Sequence, residues 1–261
     1  MASQSEESIM MTESKMKSAE GREDREERVI GIVGGMGPEA TLRLFELLIA
    51  ATPARRDQDH LRILIDSNPK IPDRTAAVLG EGSDPLPALL ASAVLLQRAG
   101  ADFLLIPCNT AHHWLPELQE KLEIPILDMV RETVAAVAAR TPRLERVGLL
   151  ATTGTVRTGL YPRALTGAGI AVVETTPREQ ESVMRVIYGI KAGNRAVGSD
   201  LVQVGRNLIE RGAQGLILGC TELSLVPEMT ELGCPLFDPL AILARRAVAI
   251  AKGADGGIPR S

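Results

Sequence analysis

The sequence predicts an α/β protein made of two similar domains, each with a parallel β-sheet. Two observations predict this class. From Val29 onward, short aliphatic runs alternate with longer helical patterns, and the order of these runs is repeated once along the chain. The chain has 261 residues, of which 45% are apolar, so it is long enough to form two domains with buried cores.

Four segments of the first half match four segments of the second half in the same order. The matched pairs are 29–35 with 146–154, 61–69 with 170–177, 99–110 with 211–222, and 124–129 with 234–239. Four pairings in order favour a duplicated unit, so we expect two domains related by pseudo-two-fold symmetry. The helical patterns that follow Asp128 and Asp238 occupy equivalent places, and either helix could cross to the opposite domain.

The repeat also predicts the domain boundaries. Residues 28–127 plus 238–261 are expected to form the first α/β domain, and residues 128–237 the second. Residues 1–27 are polar, dense in charge and free of aromatic side chains. Such a segment cannot bury enough apolar surface to order itself, so we expect a disordered tail.

Composition and charge exclude several classes of function. The net charge is −4, and acids and bases balance beyond the acidic tail, so no surface for nucleic acid or an anionic membrane is expected. The apolar windows are too short to span a membrane and the amino terminus lacks a signal-peptide core, which favours a cytoplasmic location. The three cysteines fit neither a disulfide framework nor a zinc site, so we expect free thiols and no metal.

Cys108 and Cys220 occupy the same position in the two halves, each at the end of a predicted strand and before a predicted helix. Ligands of open parallel sheets bind beyond the carboxyl ends of the strands, so a cleft between the two domains is the expected active site. A helix amino terminus lowers the pKa of a nearby thiol, so we expect thiolate to be accessible at neutral pH. Cys234 has no matching partner and is interpreted as a core residue.

Two thiols on opposite sides of one cleft suit a particular reaction. Inversion of a stereocentre that carries a hydrogen needs a base on one face and an acid on the other. The two groups exchange roles when the opposite enantiomer binds. A nearly symmetric site with one thiolate and one thiol serves both directions.

The segments around these thiols resemble a known family. "IPCNTAHH" (106–113), "LGCTEL" (218–223) and "GIVGGMGPEAT" (31–41) look like the aspartate/glutamate racemase superfamily. "SNPKIPDRTA" (67–76), together with "GCTE", resembles its aspartate racemase branch. The resemblance implies a cofactor-independent two-base amino-acid racemase, without pyridoxal phosphate, with two Rossmann-like domains and the active site between them. It also implies a homodimer.

The resemblance extends from Arg28 to about Lys252 and implies residues that hold the substrate. Arg74 is expected to bind a side-chain carboxylate, because a guanidinium group can bind a carboxylate through two hydrogen bonds. Lys191 is the second expected cation, so aspartate is the expected substrate, with glutamate or a broader range of amino acids as the alternative. The remaining residues expected to contact substrate are Asn68, Asn109, Thr110, Thr153 and Thr221.

Two further residues are expected to lie behind the thiols. Glu222 stands beside Cys220, where the glutamate racemase pattern commonly has a histidine, and could act as a proton partner. His112 follows Cys108 by one helical turn and could tune that thiol, although a structural role for the histidine is at least as well supported.

Two other functions remain open at this point. An NAD-binding oxidoreductase is suggested by "GMGPEA" (35–40), which fits G-x-G-x-x-A after a strand. Against it, Pro38 removes one N–H from the phosphate-facing turn, and this interpretation leaves the paired cysteines unexplained. A non-catalytic amino-acid sensor with the same fold is the third alternative, and it predicts binding without exchange.

Overall fold

The computed structural model describes residues 27–194, 198–254 and 258. The tail predicted to be disordered, residues 1–27, lies outside this part of the chain except for its last residue. The strands within the described residues are β1 (Ile30–Gly34), β2 (Ile63–Ser67), β3 (Phe103–Leu105), β4 (Arg146–Ala151), β5 (Ala171–Val173), β6 (Leu216–Gly219) and β7 (Leu236–Phe237).

Helices alternate with these strands, as expected for an α/β protein. The α-helices are α1 (Pro38–Ala51), α2 (Arg74–Leu79), α3 (Leu86–Arg98), α4 (Leu115–Gln119), α5 (Met129–Ala138), α6 (Thr153–Thr158), α7 (Leu160–Gly167), α8 (Pro177–Lys191), α9 (Gly198–Glu210) and α10 (Pro239–Ala251). Short 3₁₀-helices cover Asp57–Asp59, Thr110–Trp114, Thr221–Leu225 and Pro227–Leu232.

The strands form two parallel sheets with the same order. The first sheet runs β2-β1-β3, and the second runs β5-β4-β6-β7. Beside β3, an isolated parallel bridge between Leu104 and Ile126 takes the place that β7 has beside β6. The predicted α/β fold with two matching parallel sheets is therefore confirmed.

Strands in the interior of the sheets are largely apolar, because helices cover both faces of each sheet. Every residue of β1, β3 and β6 is buried. The edge strand β2 instead alternates between half-buried and exposed positions, including an exposed Ile65. The carboxyl ends of β3 and β6 are therefore buried.

Two helices cross between the halves. Asp128 Oδ1 accepts from the backbone N–H of Val130 and Arg131 and starts α5, and Asp238 starts α10 in the same way. Helix α5 packs in the core cluster of β4 and α7, whereas α10 packs in the cluster of β1 and α1. The predicted division into residues 28–127 plus 238–261 and residues 128–237 requires this packing, and the exact boundaries stay a prediction.

The length and polarity of the helices also bear on membrane insertion. Among residues 27–194, 198–254 and 258, no helix combines the length and apolar character that crossing a membrane requires.

Candidate active site

Cys108 and Cys220 line one narrow cavity of about 20 Å³. Cys108 follows β3 of the first sheet, and Cys220 follows β6 of the second. Their exposed fractions are similar, 8% for Cys108 and 6% for Cys220. Each half of the repeat therefore contributes one buried thiol to the same space.

Most residues selected from the sequence lie around this cavity. Those that line it are Arg74, Cys108, Asn109, Thr110, Lys191, Cys220, Thr221 and Glu222. Asn68, His112 and Thr153 do not line it. The roles of all these residues in substrate binding and catalysis stay predictions.

Arg74 is buried and is the first residue of α2. Its Nη1 donates to the carbonyl groups of Ile71 (3.1 Å) and Pro72 (2.9 Å), which fixes the guanidinium group. Its Nε has no hydrogen-bond acceptor among the described residues. A buried donor without an acceptor costs about 1–3 kcal/mol, so this N–H is suited to an acceptor on a ligand.

Asn109 presents a second unpaired donor. Its Oδ1 accepts from the hydroxyl of Tyr161 at 2.6 Å, whereas its Nδ2 has no acceptor within the described part of the chain. Tyr161 is completely buried in the core of the second half, and burial raises the pKa of its phenol, so it stays a donor. The sequence analysis missed Tyr161, because no motif or repeat match marks it.

Three threonine hydroxyls join the two halves at the cavity wall. Thr110 lies 2.9 Å from both Thr152 and Thr155, and Thr152 donates to Thr155 at 3.0 Å. Thr152 also starts α6, because its hydroxyl accepts from the backbone N–H of Thr155. This network fixes the loop after Cys108 against the second half.

Thr152, rather than Thr153, lines the cavity. The Thr153 hydroxyl accepts from Gln180, and its backbone N–H faces the sulfur of Met184. It borders a separate groove between α6 and α8. Thr152 still has extended backbone and Thr153 already belongs to the helix, so their side chains leave the chain in different directions.

His112 holds the backbone rather than the thiol. Its Nε2 accepts from the backbone N–H of Met129 at 3.0 Å. Its Nδ1 must then carry the hydrogen, which it donates to the carbonyl of Cys108 at 2.9 Å. Because both ring nitrogens are hydrogen-bonded to backbone groups, the imidazole positions Cys108 and the start of α5.

Asn68 shapes the turn after β2. Its Oδ1 accepts from the backbone N–H of Lys70, and its Nδ2 donates to Ser92. Gly35 has φ +91°, and a Cβ there would lie only 2.3 Å from the backbone of Asn68. Close packing of two loops therefore explains this glycine of "GMGPEA" without a nucleotide.

Glu222 is a charged group that is hydrogen-bonded directly to one of the two thiols. Cys220 Sγ donates to Glu222 Oε2 at 2.9 Å, and Thr221 Oγ1 donates to the same oxygen at 3.3 Å. Lys191 Nζ lies 3.9 Å from Glu222 Oε1. Burial by itself would lower the pKa of Lys191, but the negative charge of Glu222, and that of Cys220 and Cys108 when they are ionised, raises it, so the ammonium group stays charged.

The expectation that a helix amino terminus lowers the pKa of the thiols is wrong for Cys220. Burial raises the pKa of Cys220 well above its ordinary value, and the negative charge of Glu222 raises it further. Lys191 offsets only part of this effect. The element after Cys220 is a five-residue 3₁₀-helix, whose weak dipole cannot outweigh an adjacent carboxylate.

The grouping of His, Cys, Asp and Glu side chains bears on metal binding. Within that part of the chain, no three His, Cys, Asp or Glu side chains are grouped so that they could hold a metal ion.

Comparisons with known proteins place this site in a family. The family model for Asp/Glu/hydantoin racemases matches residues 33–247. The broad specificity amino-acid racemase RacX of Bacillus subtilis is 29% identical over 228 residues, which are 85% of this chain and 97% of that protein.

Solved structures agree with this match. The aspartate racemase of Picrophilus torridus has a TM-score of 0.77 and 30% identity, and the match covers 87% of this chain and 94% of that one. An aspartate racemase homologue from Pyrococcus horikoshii OT3 has a TM-score of 0.70 and 24% identity, covering 86% of this chain and 99% of that one, and supports the fold. Because the family model spans both thiols and all the other cavity residues named above, the chain belongs to the Asp/Glu/hydantoin racemase family.

Proposed function

We propose that the chain is a two-base racemase that acts on aspartate without a cofactor, with Cys108 and Cys220 as the two proton-transferring groups. One observation carries the proposal. A buried thiol from each half lines the same cavity as Arg74 and Asn109, whose buried Nε and Nδ2 donors have no acceptor in the part of the chain that the structure describes. These donors match the carboxylate oxygens of an amino acid.

Racemisation would proceed by two proton transfers. A thiolate removes the α-hydrogen as a proton, and the electrons of the C–H bond remain on the substrate as a carbanion that its α-carboxylate delocalises. The opposite thiol then donates its proton to the other face of the α-carbon. One sulfur ends as a thiol and the other as a thiolate, so atoms and charge balance.

The donors around the cavity would stabilise the carbanion. Negative charge on the α-carboxylate increases as the proton leaves, and fixed N–H donors in a buried site stabilise such charge without reorganisation. Asn109 is fixed by Tyr161, and Arg74 is fixed by two backbone carbonyl groups. Both donors are therefore oriented before substrate arrives.

Two cations support an acidic substrate. Arg74 and Lys191 line the same cavity, and a dicarboxylic amino acid brings one more carboxylate than a neutral one. The 30% identity with the aspartate racemase of Picrophilus torridus points in the same direction.

A broad-specificity racemase is the second candidate. It is favoured by the nearly full-length match to RacX. The pairing of Lys191 with Glu222 also favours it. Because Glu222 already balances the charge of Lys191, the site does not need a carboxylate on the side chain of the substrate.

The test is incubation of the purified protein, under reducing conditions, with each enantiomer of aspartate, glutamate and alanine in deuterated solvent. We expect interconversion of the aspartate enantiomers with deuterium at the α-carbon. Comparable rates for all three amino acids would favour the broad-specificity candidate. No exchange with any of them would refute the racemase proposal and leave the sensor alternative.

Variants of the three cysteines sharpen this test. Cys108→Ala and Cys220→Ala should each abolish racemisation, since each removes one of the two proton-transferring groups. Cys234→Ala is the matched control, because Cys234 lies outside the cavity, and it should keep its activity. Wild-type rates in both single active-site variants would overturn the two-base assignment.

Two wider predictions belong with this function. We propose a homodimer, as the family resemblance implies, which light scattering during size-exclusion chromatography would test. A cytoplasmic location likewise stays a prediction and can be tested by cell fractionation.

A further inference from the structure

The two thiols occupy equivalent positions, but only one has a carboxylate beside it. The matched triplets are Cys108-Asn109-Thr110 and Cys220-Thr221-Glu222, so Thr110 stands where the other half has Glu222. The Thr110 hydroxyl is engaged with Thr152 and Thr155. The cavity is therefore symmetric in its sulfurs and asymmetric in the charge next to them.

We infer that Glu222 keeps the proton on Cys220 in the resting protein, so that Cys108 is the thiol that first acts as base. The catalytic part of this inference rests on the proposed racemase function, whereas the protonation of the free protein does not. Glu222 is a positioning residue in this assignment, because it acts through Cys220 and is not required to touch substrate.

Geometry and charge carry the inference. Cys220 Sγ lies 2.9 Å from Glu222 Oε2, and the Glu222 side chain is only 5% exposed. A thiolate at this position would face a carboxylate in a buried site, and two like charges at such a distance do not both ionise readily. The hydrogen bond from the thiol to the carboxylate disappears when the thiol ionises, which adds to the cost.

Lys191 balances the negative charge of Glu222. Its ammonium group lies 3.9 Å from Glu222 Oε1, and it lowers the pKa of Cys220 by only part of what burial and Glu222 add, so the proton stays on sulfur. Burial and Glu222 together raise the pKa of Cys220, in agreement with this assignment. Among the described residues, the titratable and charged groups around Cys220, on its own segment and on the elements packed against it, are Glu39, Asp73, Arg74, Cys108, Tyr188, Lys191 and Glu222.

The assignment has a consequence for turnover. The enantiomer whose α-hydrogen faces Cys108 reacts with the resting protein directly, and its proton moves to Cys108 while Cys220 donates to the opposite face. The protein is then left with a Cys220 thiolate beside Glu222.

Before the next turnover, Cys220 must take a proton from solvent and Cys108 must release one. We therefore expect kcat and KM to differ between the two directions, while kcat/KM stays equal because the two enantiomers have equal free energy.

The test is alkylation of the full-length, substrate-free protein with iodoacetamide across pH, followed at each cysteine by peptide mass spectrometry. Cys108 and Cys220 are nearly equally buried, so access alone would give them similar profiles. We expect Cys108 to react at lower pH than Cys220. Identical pH profiles for the two thiols would overturn the inference.

Two variants probe the cause. Glu222→Gln should move the alkylation profile of Cys220 to lower pH, with about a tenfold faster reaction for each unit by which the pKa falls, and leave Cys108 nearly unchanged. Lys191→Met should move the Cys220 profile the opposite way. A purely structural disturbance would expose both thiols and move both profiles together. Glu228→Gln, at an exposed carboxylate six residues further on, is the matched control.

The outcomes separate this inference from the proposed function. Movement of the Cys220 profile in the same direction in Glu222→Gln and Lys191→Met, or no movement in either, would overturn the inference while racemisation persists. If the alkylation pattern is as expected and no amino acid is racemised, the racemase proposal fails and the protonation assignment stands.

Discussion

The loops after Cys108 and Cys220 are equivalent in the repeat, but they are held by different interactions. The first loop is fixed by neutral hydrogen bonds, from His112 to the Cys108 carbonyl and from Tyr161 to Asn109. The second loop carries a charged pair, Glu222 with Lys191. The duplicated backbone places two thiols at one cavity, whereas the side chains that have diverged decide what each thiol can do.

The largest effect in this comparison is expected for Arg74, the cation that the first half contributes to the cavity. Arg74→Ala should lower kcat/KM for aspartate by about a hundredfold or more, because truncating one partner of a buried charge pair costs about 2–5 kcal/mol. Alanine, which has no side-chain carboxylate, should lose much less. Initial rates with both substrates test this.

The control for Arg74→Ala is Arg178→Ala, at an exposed arginine in the first turn of α8. It should leave both rates unchanged. Equal losses for aspartate and alanine in Arg74→Ala would mean that Arg74 does not bind the side-chain carboxylate.

The second prediction concerns an ion pair that is expected to stabilise the second half of the protein. Glu179 on α8 forms an ion pair with Arg211 (2.8 Å), which holds the pKa of Glu179 at about 2, well below its usual value of 4.5. A lowered pKa in the folded state contributes stability that is complete above about pH 4.5 and is lost as the pH falls toward 2.

Glu179→Gln should therefore cost about 1–2 kcal/mol of unfolding free energy at pH 7, because Arg211 is partly exposed and solvent screens the pair, and much less at pH 2.5. Urea unfolding at both pH values measures this. If Glu179→Gln lost the same unfolding free energy at pH 7 and at pH 2.5, the loss would not arise from the charge of Glu179. Glu181→Gln, on the exposed side of the same helix, is the control and should behave like the parent protein.

The smallest effect separates two neighbouring threonines. Thr152→Val removes the hydroxyl that starts α6 and breaks the network to Thr110, so it should cost about 1–2 kcal/mol of unfolding free energy. Thr153→Val should cost less than about 0.5 kcal/mol, because Thr153 is only half-buried and lies outside the network. A larger loss in Thr153→Val than in Thr152→Val would contradict the placement of these hydroxyls.

The fold and the positions of the two thiols could be predicted from the sequence, whereas the position of a single threonine could not. Aliphatic runs and their repetition were sufficient for two parallel sheets in matching order, because burial on both faces leaves a clear pattern. The end of each central strand then placed Cys108 and Cys220 correctly at one cavity. Which of two adjacent threonines faces the cavity depends on the residue at which strand gives way to helix, and a pattern of residue types does not resolve a single position.

Other features depended on contacts between distant parts of the chain. His112 is a structural residue because the crossing of α5 brings the Met129 N–H to its ring. Tyr161 reaches Asn109 only after the two halves pack together. The raised pKa of Cys220 arises from enclosure and from the orientation of a glutamate side chain, neither of which the sequence motif specifies.

The crossing of α5 and α10 has a consequence for how the protein is assembled. Each sheet has one apolar face covered by a helix that belongs, by sequence repeat, to the other half. A fragment that contained only one half would therefore lack the crossing helix that covers its sheet and would expose a wide apolar surface. We therefore expect the two halves to fold together, with one cooperative unfolding transition for the whole chain.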